Sequence, residues 1–130
     1  MLRKKLLHRL CFAVVVLAIF NQIATSFHWY ALIWWFDMPM HFLGGLTVFY
    51  FSAIVWLPAR KWVPDWRYVY EAVITTVLIS VLWEALELFL YLRYGSPPFI
   101  TLDSLSDVGF DIAGALFAAY LTAPFLSTLE

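Results

Sequence analysis

The sequence predicts an all-α integral membrane protein, one domain over residues 1–130 built as a four-transmembrane-helix bundle. Three observations carry that expectation. The 130 residues are 64% apolar and 20% aromatic but only 13% charged, against roughly 25% charged in a soluble domain. Four apolar stretches, about 10–27, 39–57, 68–92 and 104–125, each approach the ~20 residues a spanning helix needs. The connections between them are short.

The first stretch follows the basic residues Arg3, Lys4 and Lys5 and carries Ala24-Thr25-Ser26 near its end. That pattern resembles a secretory signal, but the segment is read as a retained helix. Next come Trp29, Tyr30, Trp34 and Trp35, which suit an aromatic belt or a short interfacial helix before the second span. The link from Pro58 to Arg67 is basic, holds two prolines, and places Trp62 and Trp66 at the opposite interface. Gly95-Ser96-Pro97-Pro98 breaks the chain between the third and fourth spans.

Lys and Arg residues set the expected orientation. Arg3, Lys4, Lys5, Arg9, Arg60, Lys61 and Arg67 fall on one side and only Arg93 on the other. Basic loops stay in the cytoplasm, so both termini are expected there. Net charge is −1, and nucleic acid is not an expected partner. Membrane lipids are, with His8 adding to the attraction for headgroups. The single Cys11 permits no internal disulfide.

The informative residues are acidic. Asp37, Glu84, Glu87, Asp103, Asp107 and Asp111 all map to the outer end of the spans, and His41 joins them. Asp37 and His41 are spaced i,i+4, Glu84 and Glu87 i,i+3, and Asp103, Asp107 and Asp111 i,i+4,i+8, so each set shares a helix face. By the ~1.5 Å rise per residue, Asp37 and Asp103 lie at the mouth, with His41, Glu87 and Asp107 one turn deeper. Glu84 and Asp111 fall roughly 12 Å below the mouth by the same rise. Asn21, Thr25 and His28 add a polar face to the first helix.

Each ionised Asp or Lys at a helix centre costs about 2.5–3.5 kcal/mol. Such groups must face one another, water or a cation, and they mark functional sites. Arg93, the one nearby fixed positive charge, cannot balance six acids. Capping accounts for Asp37, with Pro39 in the first turn, and for Asp103. It does not account for Glu84, Glu87 or Asp111 inside helices, where a structural hydrogen-bond network is the other reading. Gly44, Gly45, Gly114, Ala115, Ala118 and Ala119 would let the same faces approach closely.

His41 with several carboxylates favours a hard or borderline divalent ion such as Mg, Mn, Ca, Zn or Fe. The expected metal set is His41, Glu84, Glu87, Asp107 and Asp111, with Asp37 and Asp103 at the mouth. Glu84-x-x-Glu87 with acids on a facing helix could hold two ions. His41 and Glu84 are the candidate catalytic groups, His41 as ligand or general base. No phosphate cradle, cofactor-binding motif or catalytic triad is present.

The segment Asp37-Met38-Pro39-Met40-His41-Phe42-Leu43-Gly44-Gly45, then Trp83-Glu84-Ala85-Leu86-Glu87, then Asp103, Asp107, Asp111 and Gly114, resembles the pattern of VanZ-like membrane proteins. Glu87 and Asp111 stand where VanZ-like members often carry Gln and Asn, and Met38 where Lys is frequent. The acidic form is closer to the related YjdF-like proteins. The resemblance implies a small polytopic protein of the bacterial inner membrane. VanZ itself is linked to teicoplanin resistance, hence to the cell envelope.

The resulting expectation is an outward-facing intramembrane acidic and histidine site. It would bind a divalent cation and act on a lipid-linked or cell-envelope substrate. The alternatives are a small proton- or cation-coupled transporter, which could be oligomeric, and a non-catalytic subunit or assembly factor.

Overall fold

The computed structural model describes residues 2–56, 66–95 and 101–127, with backbone alone for Leu2, Trp66, Tyr68 and 124–127. The Pro58–Pro64 part of the basic link, with Trp62, and the Ser96-Pro97-Pro98 break lie outside the described residues.

Five helices follow in order: α1 Leu2–Ser26, α2 Trp29–Leu32, α3 Asp37–Trp56, α4 Trp66–Tyr94 and α5 Thr101–Ser127. Among the described residues there is no strand. α1, α3, α4 and α5 are long and apolar enough to cross a membrane. Composition and helix length thus describe a multi-pass membrane protein.

All four long helices begin before their apolar stretches, and α1 does so most, starting at Leu2 rather than near residue 10. The apolar boundary is where hydrocarbon would begin. The helix continues past it because Arg, Lys and Leu are good helix formers. α4 stops at Gly95, whose N–H donates to the Tyr91 carbonyl at 2.7 Å. Its φ of 72° is the left-handed cap conformation that glycine adopts without steric cost.

Polarity is inverted relative to a soluble core. Glu84, Asp107 and Asp111 are buried, whereas Leu78, Leu82, Leu86, Leu116 and Tyr120 on the same two helices are exposed. Lipid solvates the exposed groups and cannot solvate the buried ones. The inward stripe of α4 is Ala72, Thr76, Ser80 and Glu84, a strict i,i+4 repeat of small or polar residues. On α1, Leu6, Ala13 and Ala24 are buried, with Leu10 and Leu17 packed beside them.

α3 and α5 run parallel and meet through glycine. A Cβ at Gly45 would lie 2.0 Å from the Asp111 carbonyl oxygen, and one at Gly114 would lie 2.0 Å from that of Phe42. Each glycine admits the other helix's backbone, and such close approach drives helix association in lipid. Below this crossing, Phe49, Tyr50 and Ala53 pack against Ala115, Ala118 and Ala119, and Leu6 and Ala72 close the cluster.

Candidate metal centre

α3 carries Asp37 and His41 on one face of its first two turns. Phe36 sets the entry. It is buried with Ala24 and Met40, and Trp29 and Tyr30 of α2 meet its ring edge-on at 5.3 Å each. Tyr30 donates to Asn21 Oδ1 at 2.8 Å, tying α2 back to α1. Partial burial raises the Tyr30 phenol above its ordinary pKa of 10.0, and the Asp37 charge adds to the shift. His28, left-handed at φ 57°, is exposed.

The imidazole of His41 lies between two sets of carboxylates. Nδ1 is 3.1 Å from Asp111 Oδ2, a hydrogen bond in which the carboxylate accepts. That leaves Nε2 facing Asp37 Oδ2 at 3.7 Å and Asp107 Oδ2 at 3.8 Å. Both are too long for hydrogen bonds. One ligand atom from each of Asp37, His41 and Asp107 fits within 4.8 Å of the others, so this partly buried group could hold a metal ion.

The donor set is chemically apt. With metal–nitrogen and metal–oxygen bonds of 2.0–2.2 Å, a tetrahedral site separates its ligands by about 3.4 Å, and His41 Nε2 stands only a little beyond that from each of its two facing carboxylates. Asp111 on His41 Nδ1 is placed as the carboxylate that, behind a metal-ligating histidine, would fix the tautomer and raise ligand basicity. Ser80 Oγ donates to the same Asp111 oxygen at 2.5 Å, holding the carboxylate from α4.

The structure redistributes the roles expected from the sequence. Asp37, read as mouth or cap, belongs to the candidate group, while Asp111 supports His41 from its other ring nitrogen. Glu84 and Glu87 stand outside the Asp37–His41–Asp107 group. Glu87 Oε1 accepts from Trp83 Nε1 on its own helix at 3.1 Å. Asp103 is exposed in the first turn of α5. Ser80, rather than Glu84, meets Asp111, so the α4–α5 register differs by one turn from the depth reading. Ser80 was missed, although its i,i+4 spacing to Glu84 on a membrane helix was a usable signal.

Glu84 and Asp107 are the unusual buried groups, at 8% and 3% exposure. Both oxygens of Glu84 and Oδ1 of Asp107 have no hydrogen-bond partner. A buried unsatisfied group costs about 1–3 kcal/mol, and more when charged.

Comparison with protein-family models, curated proteins and solved structures gives no match. The chemistry of the site therefore rests on its own residues.

Proposed function

We propose that this chain is a VanZ-like, YjdF-like protein of the bacterial inner membrane, whose His41 centre binds a divalent cation and acts on a lipid-linked or cell-envelope substrate. The observation that carries the reading is the convergence of Asp37, His41 and Asp107, with Asp111 and Ser80 behind the imidazole. A hydrogen-bond network built for stability alone would pair His41 Nε2 at hydrogen-bond distance. Here that atom faces two carboxylates across gaps of 3.7 and 3.8 Å.

In this reading Asp37, His41 and Asp107 hold the ion. Asp111 orients the ring and stabilises positive charge on it. Ser80 keeps Asp111 in place. A divalent cation there would supply Lewis acidity, polarising a substrate oxygen or readying a water for attack. The apolar outer faces of the helices, including exposed Leu82, Leu86 and Trp83, would keep the site next to lipid.

The Lys/Arg bias supports cytoplasmic termini and an extracytoplasmic site, with α2 lying in the interface. Alkylation of Asp103→Cys by an impermeant maleimide, in a Cys11→Ser background, reports the side directly. Labelling in intact cells is the expected result.

The cation reading is tested on full-length protein in detergent, stripped with EDTA and titrated with Mn²⁺ or Zn²⁺. Uptake of at least one ion per chain is expected, lost on His41→Ala or Asp107→Asn while helicity by circular dichroism is retained. Wild-type protein that takes up neither ion would refute it. In cells, the same substitutions should reproduce the envelope phenotype of deleting the gene.

A further inference from the structure

We propose that this end of the bundle holds two cations, the second lying between Glu84 and Asp107, with Asp107 shared by both positions. The inference rests on the reading of Asp37, His41 and Asp107 as a cation site.

The register of α4 against α5 sets the geometry. Ser80 of α4 bonds Asp111 of α5. The two helices run antiparallel, so one turn toward the His41 end takes Ser80 to Glu84 on α4 and Asp111 to Asp107 on α5. Four residues rise about 6 Å on each helix, which sets Glu84 across from Asp107.

Among the described residues no hydrogen-bond donor reaches three of the carboxylate oxygens there. Glu84 is 8% exposed, and its two oxygens together with Asp107 Oδ1 are three buried acceptors without a partner. The donors nearby are already engaged: Ser80 Oγ and His41 Nδ1 on Asp111, and Trp83 Nε1 on Glu87. The two oxygens of Asp107 also differ. Oδ2 is the one 3.8 Å from His41 Nε2, while Oδ1 is the orphan. A carboxylate with one oxygen turned to each of two neighbouring positions is how two-metal sites share a ligand.

Charge points the same way. Asp37, Glu84, Glu87, Asp107 and Asp111 bring five carboxylates to this end, with the His41 ring as the ionisable base among them, in a region that lipid cannot solvate. Arg93, on the same helix as Glu84, is exposed and lies over the Tyr94 ring at 5.7 Å. The first position has an imidazole and suits a borderline ion. The second offers carboxylate oxygen alone and suits a hard one such as Mn²⁺ or Mg²⁺.

The test counts Mn²⁺ on the full-length chain in detergent, from the free-ion electron paramagnetic resonance signal. Two ions per wild-type chain are expected, with a spin-coupled signal at low temperature. Glu84→Gln keeps the side chain's shape and should bind one ion per chain with an uncoupled signal. A single uncoupled ion in the wild type overturns the second position and leaves the first standing. No bound ion overturns both. Two ions that survive Glu84→Gln overturn the role given to Glu84.

Discussion

The two ends of the α3–α5 seam solve the same problem in opposite ways. At the Tyr50 end the polar groups are mostly small and self-satisfied. Thr76 and Thr122 return their hydroxyls to the carbonyls of Ala72 and Ala118. Arg9 Nη1 donates to the Leu121 carbonyl at 3.0 Å, and Phe49 is 1% exposed in an apolar cluster. Ser52 Oγ is the one orphan among the described residues there. At the His41 end three carboxylate oxygens are orphaned, and an imidazole nitrogen faces two acids without bonding either. One end closes on itself. The other keeps buried acceptors without hydrogen-bond partners and holds the group that could bind a metal ion.

The glycine crossing joins the two ends, so its loss should have the largest effect. Gly45→Ala would place a Cβ 2.0 Å from the Asp111 carbonyl oxygen. Because backbone cannot yield as a side-chain tip can, the expected loss is about 3 kcal/mol or more by thermal unfolding in detergent. Gly109→Ala is the control. A Cβ there meets nothing within 4 Å, and removing a helix glycine should be neutral or stabilise by about 0.5–1 kcal/mol.

Phe49→Ala breaks the apolar end alone. The cavity should cost about 3 kcal/mol with Mn²⁺ affinity unchanged. A matching fall in affinity would show that the two ends are not separable. Asp111→Asn acts on the other end alone, weakening cation affinity about 10–100-fold, the usual cost of losing a carboxylate behind a ligand histidine. Unfolding should change little.

Glu84→Gln separates stability from function. In EDTA-treated protein it exchanges a buried carboxylate that lacks a partner for a neutral amide of the same shape, and stability should hold or rise. Added Mn²⁺ should protect the wild type more than the variant. A variant less stable in EDTA would mean that Glu84 is satisfied in the metal-free protein.

The smallest effect lies at the rim. The Tyr30 phenol is raised first by burial and then by Asp37, so the fold favours its neutral form. That contribution is complete below the unfolded value of about 10 and is lost as pH rises through the higher folded value. The tyrosinate absorbance difference between wild type and Tyr30→Phe should therefore titrate above pH 10, and Asp37→Asn should bring it part of the way back.

The sequence by itself determined the helices and the burden of charge. Hydropathy located the four spans because length and apolarity are local properties. Spacing placed Asp107 and Asp111 on one face because 3.6 residues make a turn. His41, Gly45 and Gly114 were legible for the same reason. Tertiary structure decided which atoms meet. Whether Asp37 caps a helix or faces a metal depends on α5 standing beside α3. Whether Ser80 or Glu84 reaches Asp111 depends on how far α4 slides along α5, and one turn of slide is invisible in a stripe that repeats every four residues. Helix period is written in the chain. The α3–α5 register comes from two glycines that let one backbone lie against another, and that contact assigns Asp111 to the histidine; the α4–α5 register, marked by Ser80 on Asp111, leaves Glu84 without a hydrogen-bond partner among the described residues.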